Sequence, residues 1–264
     1  MAMIWVGALG TGESAHAFLV QTVSGPNGPV QQAWESGRDI PFVIHEAGSD
    51  DLPQETVLRI LRGSFRVWEQ VPIADISFVD QGLTSELAPS ETDGNNLVIF
   101  DEANRWLQAP RGSGIIAAAF VETETSSGKI TDVDIVFNGR DFRFGATGGS
   151  SNTIDLGDVA THEIGHLLGL DHTPLDDLPA STPAMIPFYS PVRGAGGTLE
   201  ADDRAGAGFL YPDRRSQLDF GSISGAVTDI QGVPQFGVHV VAENTTNGDH
   251  IGSVTGATPG AGRG

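Results

Sequence analysis

Apolar and polar residues are spaced along the first two thirds of the chain in a pattern that predicts one long helix among several strands. Apolar positions from Val57 to Val71 recur at helical spacing, and Asp50, Asp51 and Pro53 precede them as helix-start residues. We therefore predict an amphipathic helix of about 17 residues that packs on a sheet. The strand-like runs that would supply this sheet are 40–45, 75–79, 97–101, 114–122 and 129–137.

The rest of this region divides into loops and two shorter helices. Residues 18–37 are polar and interrupted by glycine and proline, which indicates an irregular lead-in, and 138–153 has the composition of a long loop. Apolar residues return at 156–168, where Asp155 is a suitable N-cap, and this predicts a second helix. A short final helix is predicted at 202–211.

Composition changes after Arg215, and this change divides the chain of 264 residues into a large domain and a small unit. We predict a domain at 18–215 and a β-rich segment at 216–264, in which strand-like runs alternate with Gly and Asn turns. The segment is too short to bury much core alone. We expect it to be an accessory unit that takes no part in the chemistry.

The first 17 residues allow two interpretations. The apolar stretch 2–9 and the small-x-small triplet 15–17 fit a secretory signal peptide at 1–17, although no basic residue precedes Ile4. The other interpretation is an ordinary first strand. A signal peptide would export the protein, and we expect it to be secreted and extracellular.

Charge and composition exclude several classes of partner. The net charge of −20 argues against nucleic acid, because binding to phosphates needs a positive surface. There is no cysteine, so the chain has neither a disulfide framework nor a thiolate. No run of about 18 apolar residues suggests a membrane span. We expect a monomer that acts on protein or peptide substrates.

Five residues fall at the spacing H-E-x-x-H-x-x-G-x-x-H and indicate a metal site. His162 and His166 are four residues apart, so on a helix both imidazoles project from one face. Gly169 allows the chain to leave the helix and bring His172 back as a third ligand. Three histidines with an open fourth position predict one catalytic zinc ion, and Glu163 would be the general base that activates a water.

The same residues permit other interpretations. An amphipathic helix with incidental histidines leaves the complete spacing unexplained. A third ligand from a glutamate on a following helix would be Glu200, but His172 makes it unnecessary. A catalytically silent zinc-containing binding module is the alternative function, although the intact Glu163 argues against it.

The motif and the residues after it resemble the metzincin zinc proteases, most closely the matrixin family. Residues 184–189 (Ala-Met-Ile-Pro-Phe-Tyr) resemble the matrixin Met-turn, with Met185 under the zinc and Tyr189 four residues on. Residues 114–120 resemble the edge strand that borders the matrixin substrate cleft. The closing matrixin helix is matched by Leu199, Asp202, Asp203, Gly206, Leu210 and Tyr211.

The resemblance covers roughly residues 30–215. It implies an α+β metzincin-type zinc protease domain, with a twisted, mostly parallel sheet and two main helices, followed by the small β-rich C-terminal segment. It also implies a zinc endopeptidase that hydrolyses internal peptide bonds. The backbone carbonyl of Ala117 would hold the substrate, and 187–189 would wall the pocket for the side chain after the cleaved bond. Ala118 stands where matrixins usually carry a histidine for a structural zinc, so we expect only the catalytic zinc.

Two further resemblances concern calcium and the C-terminal segment. Matrixins bind calcium near this sheet, so Ca²⁺ is a second candidate cation, with a solvated acidic loop as the alternative. Its ligands would come from Glu122, Glu124, Asp132, Asp134 and Asp141. Residues 221–260 resemble the opening strands of a carboxypeptidase-regulatory-like β-sandwich.

Overall fold

The computed structural model describes residues 3–8, 18–85, 88–90, 93–147, 152–174, 182–189, 197–213, 220–225, 227–235 and 237–255. Its helices are α1 (Gln54–Glu69), α2 (Leu156–Leu167) and α3 (Ala201–Leu210). Its strands are β1 (Met3–Ala8), β2 (Thr22–Gly25), β3 (Gly28–Gln31), β4 (Ile40–His45), β5 (Phe78–Thr84), β6 (Leu97–Phe100), β7 (Ala117–Thr123), β8 (Ile130–Phe137), β9 (Phe144–Gly145), β10 (Ile154–Asp155), β11 (Phe220–Gly225), β12 (His239–Glu243) and β13 (His250–Val254). Within these residues, no helix is both long and apolar enough to cross a membrane.

A five-stranded sheet in the order β5-β4-β6-β8-β7 forms the centre of the larger domain. β4 pairs in parallel with β5 and β6, and β6 pairs in parallel with β8. Only β7, which pairs with β8, runs antiparallel to its neighbour. The mostly parallel sheet that the resemblance to the metzincins implies is therefore confirmed. Because β7 ends the sheet, its outer edge has no partner strand among the described residues.

The helices α1 and α2 pack together over one face of the sheet and enclose the main hydrophobic core. Buried residues recur along α1 at helical spacing and include Phe65 and Trp68. The ring of Phe65 stacks on that of Phe42 in β4, with 3.8 Å between the ring centroids. The indole N–H of Trp68 donates to the carbonyl of Thr161 at 3.0 Å, so a buried hydrogen bond fixes α1 against α2.

The opposite face of the sheet carries a smaller apolar cluster. Its buried residues are Val43, Leu97, Ile99 and Val136, and Trp106 and Leu107 pack against them. Asp101 organises the loop that supplies this cover, because its carboxylate accepts hydrogen bonds from the backbone N–H groups of 105–107. Both faces of the central strands are therefore covered, as the burial of a parallel sheet requires.

Most predicted elements are present within a few residues, but three predictions were wrong. The strand expected at 75–79 is instead β5, which continues to residue 84 through a bulge at Gly82 (φ +92°). Residues 18–37, predicted to be irregular, contain the antiparallel hairpin of β2 and β3. The loop predicted at 138–153 contains the short strand β9, which pairs in parallel with β10 directly after the loop.

The C-terminal segment contributes to two small sheets. β11 pairs in parallel with β1, and β12 pairs antiparallel with β13. Ile251 of β13 is buried in the main core, and the N–H of Gly252 donates to the Asp202 carboxylate of α3 at 2.9 Å. The hairpin therefore packs on the larger domain. Residues 1–2 and 9–17 lie outside the described residues, so the signal peptide, like the boundary at 215, stays a prediction.

Candidate metal centre

The start of α2, which carries the first part of the metal motif, is fixed by polar groups. The Asp155 carboxylate accepts hydrogen bonds from the N–H groups of Gly157 at 2.8 Å and Asp158 at 3.3 Å. Asp155 is thus the N-cap that the sequence predicts. Its own N–H donates to the Tyr189 hydroxyl at 2.9 Å, and the Asp158 carboxylate accepts from the N–H of Gly197 at 2.6 Å. These bonds tie the helix to the segments that follow the motif.

The three histidines of the motif converge on one point. Nε2 of His166 lies 3.1 Å from Nε2 of His162 and 3.2 Å from Nε2 of His172. Nitrogen ligands of a tetrahedral zinc ion are roughly 3.3 Å apart, so these separations fit such an ion. Throughout the part of the chain that the structure describes, this is the only group of His, Cys, Asp or Glu residues that brings three ligand atoms together.

Backbone carbonyls fix the orientation of two of these imidazoles. Nδ1 of His162 lies 2.7 Å from the carbonyl oxygen of Ala184, and Nδ1 of His166 lies 2.8 Å from that of Leu170. A carbonyl only accepts, so each Nδ1 carries the proton and each Nε2 keeps its lone pair. Burial lowers the pKa of His166 to about 4 and also lowers the pKa of His172. Both rings are therefore neutral at pH 7, which is the form that binds a metal.

Gly169 turns the chain out of α2 and towards His172. Its φ of +92° is the left-handed conformation that favours glycine. A Cβ at this position would also collide with the backbone oxygen of Gln32. Beyond the third histidine, the Thr173 hydroxyl donates to the Asp202 carboxylate at 2.7 Å. The turn and the residue after His172 are therefore both held by groups outside the motif.

The last carbonyls of α2 are capped by side chains from the two ends of the domain. The indole N–H of Trp34 donates to the carbonyl of Leu167 at 2.8 Å, and the hydroxyl of Tyr211 donates to that of Leu168 at 2.6 Å. The hydroxyl oxygen of Tyr211 also accepts a hydrogen bond from the backbone N–H of Trp34 at 3.1 Å. These contacts satisfy carbonyls that a helix end leaves without intrahelical partners.

The segment that resembles a Met-turn packs directly on α2. The Asp203 carboxylate accepts hydrogen bonds from the N–H groups of Ala184 at 2.7 Å and Met185 at 3.0 Å. Met185 is buried, and its sulfur lies so close to Gly165 that a Cβ there would collide with it. Glycine at position 165 thus permits the close approach of this segment to the helix that carries the histidines.

Glu163 is almost fully enclosed beside the histidines. The N–H of Ala119 in β7 hydrogen-bonds its carboxylate, while Oε2 is buried without a hydrogen-bond partner among the described residues. Burial raises the pKa of Glu163 to about 8, and the bond from Ala119 opposes this rise. A buried acid with a raised pKa and a free oxygen next to a ligand cluster is typical of a functional site.

A cavity of about 650 Å³ adjoins these groups. Residues 113–119 line it on the side of the edge strand, α2 lines it with His162, Glu163 and His166, and His172 lines it after the glycine turn. Residues 187–189, which the sequence predicts as a pocket wall, line the same cavity. Phe188 is 72% exposed and is free to contact a bound molecule. A volume of this size suits a short stretch of peptide.

Other candidate ligands lie elsewhere. Glu200, the alternative third ligand, forms a capping box at the N-terminus of α3. Of the five acids considered for calcium, Asp132 and Asp134 are buried on β8 near Glu122, whereas Asp141 forms ion pairs with arginines. Within the described residues, these acids do not bring three ligand atoms together, so the calcium prediction has no support.

Sequence patterns do not indicate that Gln21 belongs to the site. Its side-chain amide lies 3.2 Å from Nδ1 of His166 and lines the cavity. Gln21 falls in the region predicted to be an irregular lead-in, where neither spacing nor residue type distinguishes it from other polar positions. Only the folded backbone brings it to the metal motif.

Fold and site together define an α+β metzincin architecture, in which a helix and a glycine turn present three histidines to a cleft below an edge strand. Within that class the chain belongs to the matrixin family, because the family model described as Matrixin matches residues 33–212. The resemblance inferred from the Met-turn and the closing helix is thereby confirmed. The match ends before residue 216, so it does not address the C-terminal segment.

Curated relatives are similar to this chain over the same region. Stromelysin-3 of Xenopus laevis is 29% identical over 167 residues, which cover 61% of this chain and 29% of that protein. Metalloendoproteinase 1-MMP of Arabidopsis thaliana is 30% identical over 182 residues, which cover 64% of this chain and 42% of that protein. The chain thus spans less than half the length of these relatives.

Proposed function

We propose that this protein is a zinc-dependent endopeptidase that hydrolyses internal peptide bonds of protein or peptide substrates outside the cell. Membership of the matrixin family supports this proposal, as does similarity to a protein named as a metalloendoproteinase. The observation that carries it is the convergence of three histidine Nε2 atoms beside the enclosed carboxylate of Glu163.

His162, His166 and His172 would hold the zinc ion. Imidazole nitrogens suit zinc, whereas calcium and magnesium prefer oxygen ligands. Three protein ligands leave one tetrahedral position open, which distinguishes catalytic zinc sites from structural ones. When bound, zinc supplies Lewis-acid polarisation of the scissile carbonyl and of the attacking water.

Glu163 would move the proton. Its unpaired Oε2 takes the proton from the attacking water and then delivers it to the nitrogen of the departing amine. The N–H of Ala119 keeps the carboxylate in place during both transfers. Burial alone favours the protonated acid, which exists between the two steps, whereas the charge of a zinc ion held by the histidines would favour the carboxylate that accepts the first proton. This route needs no acyl-enzyme, so a serine or cysteine nucleophile is not required.

The free edge of β7 would bind the substrate. An extended peptide can pair with the unpartnered N–H and C=O groups of an edge strand, and the carbonyl of Ala117 is the acceptor we assign to it. Pairing along a strand holds residues on both sides of the scissile bond. This mode of binding therefore favours internal bonds over the ends of a chain.

The decisive experiment compares wild type with Glu163→Ala in cleavage of an internally quenched peptide library, with zinc content measured on the same samples. We expect the variant to keep its zinc, because the three ligands remain, and to lose activity by roughly 10²–10⁴-fold, the usual contribution of a general base. Glu55→Ala, an exposed glutamate at the start of α1, is the matched control and should cleave at the wild-type rate.

The outcomes separate the two functions that the motif permits. Cleavage by Glu163→Ala at close to the wild-type rate would contradict the role assigned to Glu163. A wild-type protein that retains zinc but cleaves no peptide in the library would favour a silent binding module instead.

A further inference from the structure

The segment before the region matched to the matrixin family packs along the turn that carries the third histidine. Val20 and Leu170 form an antiparallel bridge, and the N–H of Gln21 donates to the carbonyl of Gly169 at 2.8 Å. The N–H of Asp171 donates to the carbonyl of Leu19 at 3.0 Å. Because the family match begins at residue 33, these contacts come from a part of the chain that the family model does not cover.

Gln21 places its side-chain amide against a metal ligand. As placed, the amide nitrogen Nε2 lies 3.2 Å from Nδ1 of His166, and the amide oxygen is the other end. The other end is buried and has no hydrogen-bond partner among the described residues. A buried, half-satisfied amide lowers the stability of a folded chain, and an apolar side chain of similar size would avoid that cost. Its position beside His166 is therefore better explained by a role at the metal centre than by stability.

The chemistry of His166 determines which end of the amide faces the ring. Nδ1 donates its proton to the Leu170 carbonyl, and Nε2 faces the other two histidines. A protonated Nδ1 has no lone pair in the ring plane and offers only its N–H. Two donors cannot bond to each other, so we turn the Gln21 amide by 180° to bring its oxygen to Nδ1, since amide oxygen and nitrogen are assigned from such networks.

We propose that Gln21 is a positioning residue for the zinc ligand His166. Its amide oxygen shares the Nδ1 proton with the carbonyl of Leu170 and so holds the ring in the tautomer and orientation that present Nε2 to the metal. The inference rests on the proposed function in taking these histidines as zinc ligands. Groups that orient a metal-bound histidine in this way commonly contribute 10–100-fold to metal affinity or activity.

Zinc affinity measured by competition with a chelator tests this role without reference to catalysis. We expect Gln21→Leu, which keeps the volume but removes the acceptor, to bind zinc about 10–100-fold more weakly than wild type. Gln21→Glu should bind zinc at least as well as wild type, because a carboxylate is the stronger acceptor. The matched control is Gln32→Leu, which removes an amide of the same segment that bonds to Thr123 at 3.0 Å and not to a histidine.

Thermal melting of the zinc-free proteins separates positioning from a structural role. Gln21→Leu should melt no lower than wild type, since it removes an unsatisfied buried group, while its zinc affinity falls. If Gln21→Leu does not fold, Gln21→Met supplies the same test with an unbranched side chain. Wild-type zinc affinity in the apolar variant would overturn the proposal, and so would a loss of affinity in Gln21→Glu equal to that in Gln21→Leu. A protein that binds zinc in this Gln21-dependent way and cleaves nothing would refute the proposed function alone.

Discussion

Asp132 occupies an unfavourable position for a carboxylate. It is buried on β8 and lies directly across the ladder from Glu122, with Asp134 two residues along the same strand. Burial is the main cause that raises the pKa of Asp132 to about 7, and repulsion by Asp134, Asp93 and Glu122 adds to it. The folded chain therefore binds this proton more tightly than the unfolded chain does.

The stability of the protein should accordingly fall as the pH rises through this pKa. The contribution of Asp132 is fully present below pH 4 and is lost between the ordinary value of 3.8 and the folded value of about 7. Asp132→Asn cannot ionise, so it should be close to wild type in melting temperature at pH 4. At pH 8 it should be more stable than wild type, by about 1–2 kcal/mol once screening by solvent is allowed for.

Melting curves of the two proteins at both pH values check this expectation. Asp75→Asn, at an exposed position after α1, is the matched control and should melt like wild type throughout. A variant that melts below wild type at pH 8 would contradict the argument. Repeating the melts with calcium also tests the calcium prediction, since a calcium site at Asp132 would raise the wild-type melting temperature and leave Asp132→Asn unchanged.

The individual residues differ in how far sequence could reveal them. His162, His166 and His172 were identifiable because helical periodicity and a glycine turn convert their spacing directly into a shared point in space. Gln21 was not, because its contact with His166 joins residues 145 positions apart and depends on how the whole segment packs. Trp34 and Tyr211 are similar cases, since a helix end needs caps but does not specify which distant side chains provide them.

Strands at the margins of the fold were the elements that the sequence predicted least well. β5 is mostly exposed and contains Asp80, Gln81 and Gly82, which indicate a turn, yet the backbone bulges there and pairing continues. The hairpin of β2 and β3 is rich in glycine and proline and has few apolar residues. Hydrophobic patterning detects buried surface, so strands that bury little give it little signal.

The wall formed by 187–189 should set the preference for the substrate residue after the cleaved bond. These side chains line the same cavity as the edge strand and α2, and an apolar surface favours an apolar or aromatic partner. Phe188→Ala should therefore lower kcat/KM roughly 10-fold for peptides with leucine or phenylalanine at that position. Peptides with glycine there should be cleaved at an unchanged rate.

Library profiling of both proteins measures this preference. Ile230→Ala removes another exposed apolar side chain, far along the chain in a turn, and should leave the profile as it is in wild type. A wild-type preference for acidic or basic residues at that position would contradict the assignment of the wall.

The C-terminal hairpin joins the larger domain through packing and not through chemistry. Ile251 lies in the main core and Gly252 bonds to Asp202, whereas no residue of the hairpin lines the cavity. A chain that ends at Arg215 should therefore keep its peptidase activity. The shortened chain lacks the buried Ile251, whose burial stabilises the fold by about 1.5–3 kcal/mol. Its melting temperature should therefore be roughly 5–10 °C lower than that of the full chain.

Calorimetry and peptide cleavage on the shortened chain test both halves of this prediction. Ile251→Ala in the full chain isolates the packing and should give part of the same decrease. Complete loss of activity in a shortened chain that is still folded would show that the hairpin acts on the site itself.

The molecule as a whole should bind one zinc ion. Ala118, which pairs with Val136 across the ladder, offers a methyl group where a second site would need an imidazole. Elemental analysis after exhaustive dialysis should give a zinc-to-protein ratio near one. A ratio near two, with one ion retained after His162→Ala and His166→Ala, would show that ligands outside the motif hold a second zinc.

The two caps at the end of α2 also affect when the metal site can form during translation. Trp34 and Tyr211, which meet behind the zinc motif, are 177 residues apart. All three histidines are synthesised before Tyr211, so they are present while one of the two caps is still missing. Contacts between such distant residues form slowly. Zinc that binds before then would be held by histidines that these hydrogen bonds do not yet orient. We therefore expect the complete metal site to form only after nearly the whole domain has been translated.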